Sequence, residues 1–95
     1  MALYLAKASL YDKDGNYVKT SKKHYEVTGE NSENIATITM VVFDELMNEL
    51  EEDGWDILAI ENKSNLGCME FAGRRPSNEL YAMKLTVTNL DRKVN

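Results

Sequence analysis

The chain has 95 residues with one cysteine, one histidine and one proline, and 11 Lys and Arg stand against 16 Asp and Glu for a net charge of −5. That length allows one small domain, and the acidic balance argues against a general nucleic-acid or anionic-membrane binder, which neutralises phosphates with a basic face. A single cysteine, Cys68, excludes an internal disulfide and leaves no Cys/His set for structural zinc. A reducing, cytoplasmic compartment is therefore expected. The apolar run at residues 1–7 is too short for a signal peptide, and no stretch approaches the ~20 apolar residues that cross a membrane.

No repeat, low-complexity tract or linker divides the sequence, so one domain is expected over 1–95, with a frayed polar tail at 91–95. Residues 3–11 alternate, Tyr4, Ala6, Ala8 and Leu10 against Lys7 and Ser9. Asp12, Lys13, Asp14, Gly15 and Asn16 then supply a turn with a glycine for a left-handed position. The return strand at 17–28 is polar on both faces, and its Lys19, Lys22 and Lys23 suit an edge protected against further pairing. Ser32 reads as the N-cap of a helix, with Glu33 favourably placed at its positive end.

On a helical wheel Ile35, Ile38, Val42, Leu46 and Leu50 form one row and Ala36, Met40, Phe43 and Met47 its neighbour. The apolar arc spans roughly 200°, where packing on one sheet face takes little more than about 100°. The surplus asks for a second contact, either a long loop folded over the helix or another subunit. Residues 36–43 are β-branched enough to form a strand, but no turn signal separates Val42 from Asp44, which decides for one helix. Gly54 closes it as the residue beyond the cap.

Residues 55–62 carry apolar side chains on both faces and read as a central strand. The last strand, 79–88, alternates Tyr81, Met83, Leu85 and Val87 against Lys84, Thr86 and Thr88. The expected fold class is thus α+β, in the order ββαββ, a mainly antiparallel sheet with one long amphipathic helix packed on one face. Between the last two strands lie sixteen residues, 63–78, with a short strand signal at 68–71 and Arg74 and Arg75 near a tip. They read as a protruding hairpin extension, long enough to be a functional loop.

Signatures of catalysis are missing: there is no GxGxxG, GxxxxGK[ST], HExxH or GxSxG, and no metal-spaced Cys/His set. His24 and Cys68, a thiol and a base at unrelated positions, are no dyad, and Asp12, Asp14 and Gly15 lack the further oxygen ligands of a calcium loop. Asp56, Glu61 and Lys63 resemble the aspartate, then Glu-x-Lys, arrangement of restriction-like nucleases, in which both carboxylates hold Mg²⁺. Their odd spacing on one strand puts Asp56 and Glu61 on opposite faces, so a Mg²⁺-dependent nuclease is the remotest reading. No enzyme activity, cofactor or metal is expected.

Charge by segment is more informative than net charge. Residues 1–24 hold five Lys and two Asp, and residues 63–95 hold six Lys or Arg and three acids, each segment giving +3. Residues 25–62 hold eleven acids and no Lys or Arg, hence −11. Asp44, Glu45, Glu49, Glu51 and Glu52 fall on the arc opposite the core, with Asp53 and Asp56 just past the helix end. This opposes the local physics, because acids in the last turn meet the negative end of the helix dipole and Glu45 and Glu49 repel each other. Such a face serves either for solubility or for a partner protein whose basic groove otherwise holds nucleic acid. In the second case Tyr17, Tyr25, Trp55 and the Arg74 and Arg75 loop would form a rim that sets specificity.

The junction at 45–58, where a helix closes on Gly54 and Trp55 and enters a strand through Ile57, resembles small proteins of bacteria, phages and mobile elements that share such a Gly-Trp junction. In size, acidity and lack of catalytic motifs the chain is similar in type to phage-encoded inhibitors of host defence, anti-CRISPR proteins among them. The resemblance implies an inhibitor, a nucleic-acid mimic acting on a cytoplasmic protein of a bacterial host cell. The alternative is a structural or regulatory homo-oligomer, such as a homodimer joined through the wide apolar arc. Neither direct nucleic-acid binding nor membrane binding is expected.

Overall fold

The computed structural model describes residues 2–29 and 34–91. Ser32 and Glu33, expected at the helix start, and residues 92–95 of the expected tail lie outside them. The alternating amino-terminal segment forms β1 (Ala2–Asp12), and Asp12 folds the chain back into β2 (Tyr17–Val27). Its carboxylate accepts the Asp14 and Asn16 N–H groups at 3.0 and 2.9 Å, and the Asn16 bond leads in holding the Asp12 pKa below its usual value. The helix α1 (Ile35–Glu52) is continuous through the β-branched stretch, and Asn34, not Ser32, caps it by accepting the Thr37 N–H at 3.2 Å. After it come β3 (Asp56–Lys63), a 3₁₀ turn (Ser64–Leu66), β4 (Cys68–Arg74) and β5 (Leu80–Asn89).

The five strands form one antiparallel sheet in the order β2-β1-β5-β4-β3. The order of elements is ββαβββ, which corrects the expected ββαββ. The segment read as a protruding extension is the fourth strand of the sheet, paired on both sides. Met69 and Phe71 are buried while Cys68, Glu70 and Ala72 are half-buried, a period-two pattern kept short by Gly67 and by the turn after Arg74. A second correction concerns β3, which lies at the sheet edge. An extra residue, Leu58, bulges where Ile57 and Ala59 face consecutive residues of β4. The bulge sets Ile57 and Ile60 on the helix side, opposite Gly73 and Phe71, so the run looks apolar on both faces without being central. Leu58 and Ile60 stay 47% and 54% exposed.

The other edge, β2, has its lysines and a register shift of its own, at Val18 between the pairs Leu10 with Lys19 and Tyr11 with Tyr17. Bulges at both edges interrupt the straight ladder that a further strand would need.

The helix covers one face of the sheet. Ile38, Val42, Phe43, Met47 and Leu50 pack on Tyr4, Met69, Phe71, Leu85 and Val87, with Phe43 and Phe71 edge to face at 5.9 Å. The 3₁₀ turn lies against α1 and takes up part of the surplus apolar arc. The carboxyl end closes with the Gly54 N–H on the Glu51 carbonyl at 3.0 Å and the Trp55 N–H on the Leu50 carbonyl at 2.9 Å, with Gly54 at φ +86°. This is the left-handed closure expected of Gly54. Asp91, expected in the tail, is held in place, its carboxylate accepting the Leu3 N–H at 2.6 Å.

Candidate functional site

Amphipathic periodicity turns the apolar arc of α1 to the sheet and leaves the carboxylates outside. Asp44, Glu49, Glu51, Glu52 and the cap residue Asp53 are exposed and Glu45 is half-buried. Among the described residues only Glu45 of these six has an ion-pair partner, Lys23 of β2 at 2.6 Å. That hydrogen bond leads in raising the Lys23 pKa, while burial leads in raising that of Tyr25, whose ring lies 5.1 Å from the Lys23 ammonium. No basic residue stands in the last turn of the helix, so the dipole's negative end is left with acids alone. Val41 is 57% exposed on the same outward face, one turn before Asp44 and Glu45. An exposed β-branched side chain among carboxylates is a poor choice for helix propensity, and the charge pattern gave no signal for it.

The structure does not gather the remaining expected site residues into this face. Asp56 leaves the helix end on β3 and pairs in register with Arg74, on the sheet face away from α1. Arg75 is half-buried and engaged by rings of its own chain. Its guanidinium carbon lies 4.3 Å from the centre of the Tyr81 ring and 5.3 Å from that of Trp55, and the two rings are 5.9 Å apart. The Tyr81 hydroxyl donates to Glu79 at 3.1 Å, and this bond leads in raising the Tyr81 pKa. Gly73 makes room for the indole, since a Cβ there would stand 3.0 Å from Trp55 Cε3. Arg75 and Trp55 thus fasten the β4–β5 hairpin to the helix end, an internal role that the reading as a contact rim missed. Of the expected rim aromatics Tyr17 is exposed, while Tyr25 and Trp55 are half-buried.

The uncovered sheet face carries charges of both signs, and one cluster of them is paired. Register places Ser9, Lys84, Glu70 and Glu61 in one row across the strands. Lys63 is 3.1 Å from Glu70 and 3.4 Å from Glu61, and Lys84 is 3.9 Å from Glu70. The Lys63 hydrogen bond leads in holding the Glu70 carboxyl below its ordinary range. Next to this row lies another of Tyr11, Ala82, Ala72 and Ala59.

The bulge at Leu58 also corrects the parity argument about Asp56 and Glu61. They face Arg74 and Glu70, so both stand on the uncovered face, but their partners are four positions apart on β4, about 13 Å of strand. The two carboxylates do not converge, and Lys63 is engaged by Glu61 and Glu70. Among the described residues no group of three or more His, Cys, Asp or Glu is placed to hold a metal ion, and no helix is long and apolar enough to cross a membrane. Comparison with known protein families, with curated proteins and with solved structures gives no match.

Proposed function

We propose that the chain is a small non-enzymatic binding protein, an inhibitor in kind, that presents the outward face of α1 to a basic, nucleic-acid-binding site on a partner protein. The observation that carries this reading is the asymmetry of pairing. On the sheet Glu61 and Glu70 are matched by lysines within reach, whereas five of the six acids at the outer helix and its cap have no ion-pair partner among the described residues. Like-charge repulsion and an unfavourable dipole make that face a cost to folding, and a cationic partner relieves both. Val41 supplies an apolar contact within the charged surface, the mixture that protein interfaces use.

The test is affinity capture from bacterial lysate at low and at high salt, with the wild-type chain and with Asp44→Asn, Glu51→Gln and Glu52→Gln combined. A partner held at low salt by the wild type and released by salt or by the triple variant supports the reading. Retention unchanged under both treatments removes the electrostatic mechanism.

A further inference from the structure

The helix lies unevenly on its sheet. Its backbone runs close to the 3₁₀ turn, β5 and β4, whereas on the β1–β2 side the stretch facing the middle of the helix carries the short side chains of Ala6, Ala8 and Ser21. A cleft of about 210 Å³ is left there, with Ala6, Ala8, Leu46 and Leu85 as its apolar walls. This is smaller than the roughly 300–1,000 Å³ of pockets that take drug-sized ligands, and it suits a single flexible side chain.

Charge at the mouth is unbalanced. Lys22 borders the cleft through its strand, but its pairing with Lys7 places its side chain on the uncovered sheet face. Lys23, Glu45 and Glu49 remain around the opening. Lys23 is taken up by Glu45 at 2.6 Å and by the Tyr25 ring at 5.1 Å. Glu49 has no ion-pair partner among the described residues, so the cleft combines apolar walls with one unmatched negative charge.

We propose that this cleft binds an alkyl chain ending in a cation, the arginine or lysine side chain of the basic partner, with its methylenes on Ala6, Ala8 and Leu46 and its charged head at Glu49. The inference rests on the proposed function and deepens it, because it assigns the partner's anchor residue a place beside the acidic face. Long basic side chains are suited to such a site, since their stems bury against apolar surface while the head stays at the wet rim.

The direct test is a titration of the ¹⁵N-labelled chain with n-butylguanidinium chloride, followed by NMR, with guanidinium chloride and n-butanol as controls at equal ionic strength. Saturable shifts are expected at Ala6, Ala8, Ser21, Leu46 and Glu49, and an affinity about tenfold above that of guanidinium alone, as burial of one to two methylenes gives. Ala8→Leu, which fills the floor, should abolish the saturable response, and Glu49→Gln should weaken it several-fold. If Ala8→Leu lowers the melting temperature, Glu49→Gln decides, because Glu49 is exposed. Equal affinity for guanidinium alone, shifts confined to residues 51–56, or no effect of the deciding variant would overturn the proposal. A partner lost by the Asp44, Glu51 and Glu52 variant yet held undiminished by Ala8→Leu would leave the acidic-face reading intact and remove the cleft.

Discussion

The two charged surfaces of this molecule are built on opposite rules. On the uncovered sheet face, Lys63 and Lys84 stand within 4 Å of Glu70, and Lys63 also reaches Glu61, so these four charges form a cluster in which each meets its opposite. On the outer helix, only Glu45 has such a partner among the described residues. Cross-strand pairs of opposite charge support a sheet, and a chain that needed its helix only to be solvated could have placed lysines one turn away from its glutamates. In the proposed reading, the paired sheet charges serve the fold, and those of the helix leave a potential for association.

This contrast can be broken at several depths. The largest effect is expected between the layers: Phe71→Ala, which removes the ring packed on Phe43, should cost about 3–5 kcal/mol in denaturant unfolding. Its neighbour on the uncovered face, Ala72→Ser, should stay within about 0.5 kcal/mol. Thr39 is 0% exposed and its hydroxyl has no hydrogen-bond partner among the described residues, so Thr39→Val should raise stability by about 1 kcal/mol. The same assay, finding Thr39→Val less stable than the wild type, would show that the hydroxyl is satisfied.

Smaller effects separate the two charged surfaces by sign. Glu51→Gln with Glu52→Gln should raise the melting temperature slightly, a few tenths of a kcal/mol for each acid removed from the negative end of the dipole. Glu70→Gln should lower it, because it takes the shared carboxylate from two lysines. The Glu70 difference should also depend on pH. The native carboxyl titrates below its unfolded value near 4.5, so its contribution is present above that pH and is lost as pH falls through the native value. Melting curves at pH 7 should thus favour the wild type over Glu70→Gln, and curves at pH 3 should bring the two together. A gap that persists unchanged into acid would remove the ion-pair explanation.

Much of this architecture was legible because its signals are local. The Asp12 to Asn16 turn, the single helix through residues 36–43, its closure at Gly54 and the alternation of β5 each follow from a few adjacent residues. What failed depended on insertion of single residues or on pairing between distant ones. Leu58 is one extra residue, yet it reverses the face of everything before it on β3, which undid both the central-strand reading and the parity of Asp56 and Glu61. β4 showed the right alternation at Met69 and Phe71 but was too short and too close to glycines to stand out from a loop. Only its pairing with β3 and β5 makes it a strand.

At the site, wheel geometry placed Asp44, Glu49, Glu51 and Glu52 on the exposed helix face. It could not show that Lys23, twenty-two positions before Glu45, returns beside it across the β1–β2 ribbon. Nor could it show that Arg75 is taken up by Trp55 and Tyr81. Charge counting sees a residue's sign and misses whether a neighbour has already answered it.

The central claim is that the unpaired helix carboxylates bind a basic partner, and its most direct measure is the salt dependence of affinity for the captured partner. Association should be followed from about 50 to 500 mM salt with the wild type and with the Asp44→Asn, Glu51→Gln, Glu52→Gln variant. Screening over this range shortens the Debye length from about 14 Å to about 4 Å. The account predicts a steep fall for the wild type, a shallow one for the variant, and convergence of the two at high salt. Parallel lines, with the variant binding as tightly as the wild type at low salt, would contradict it.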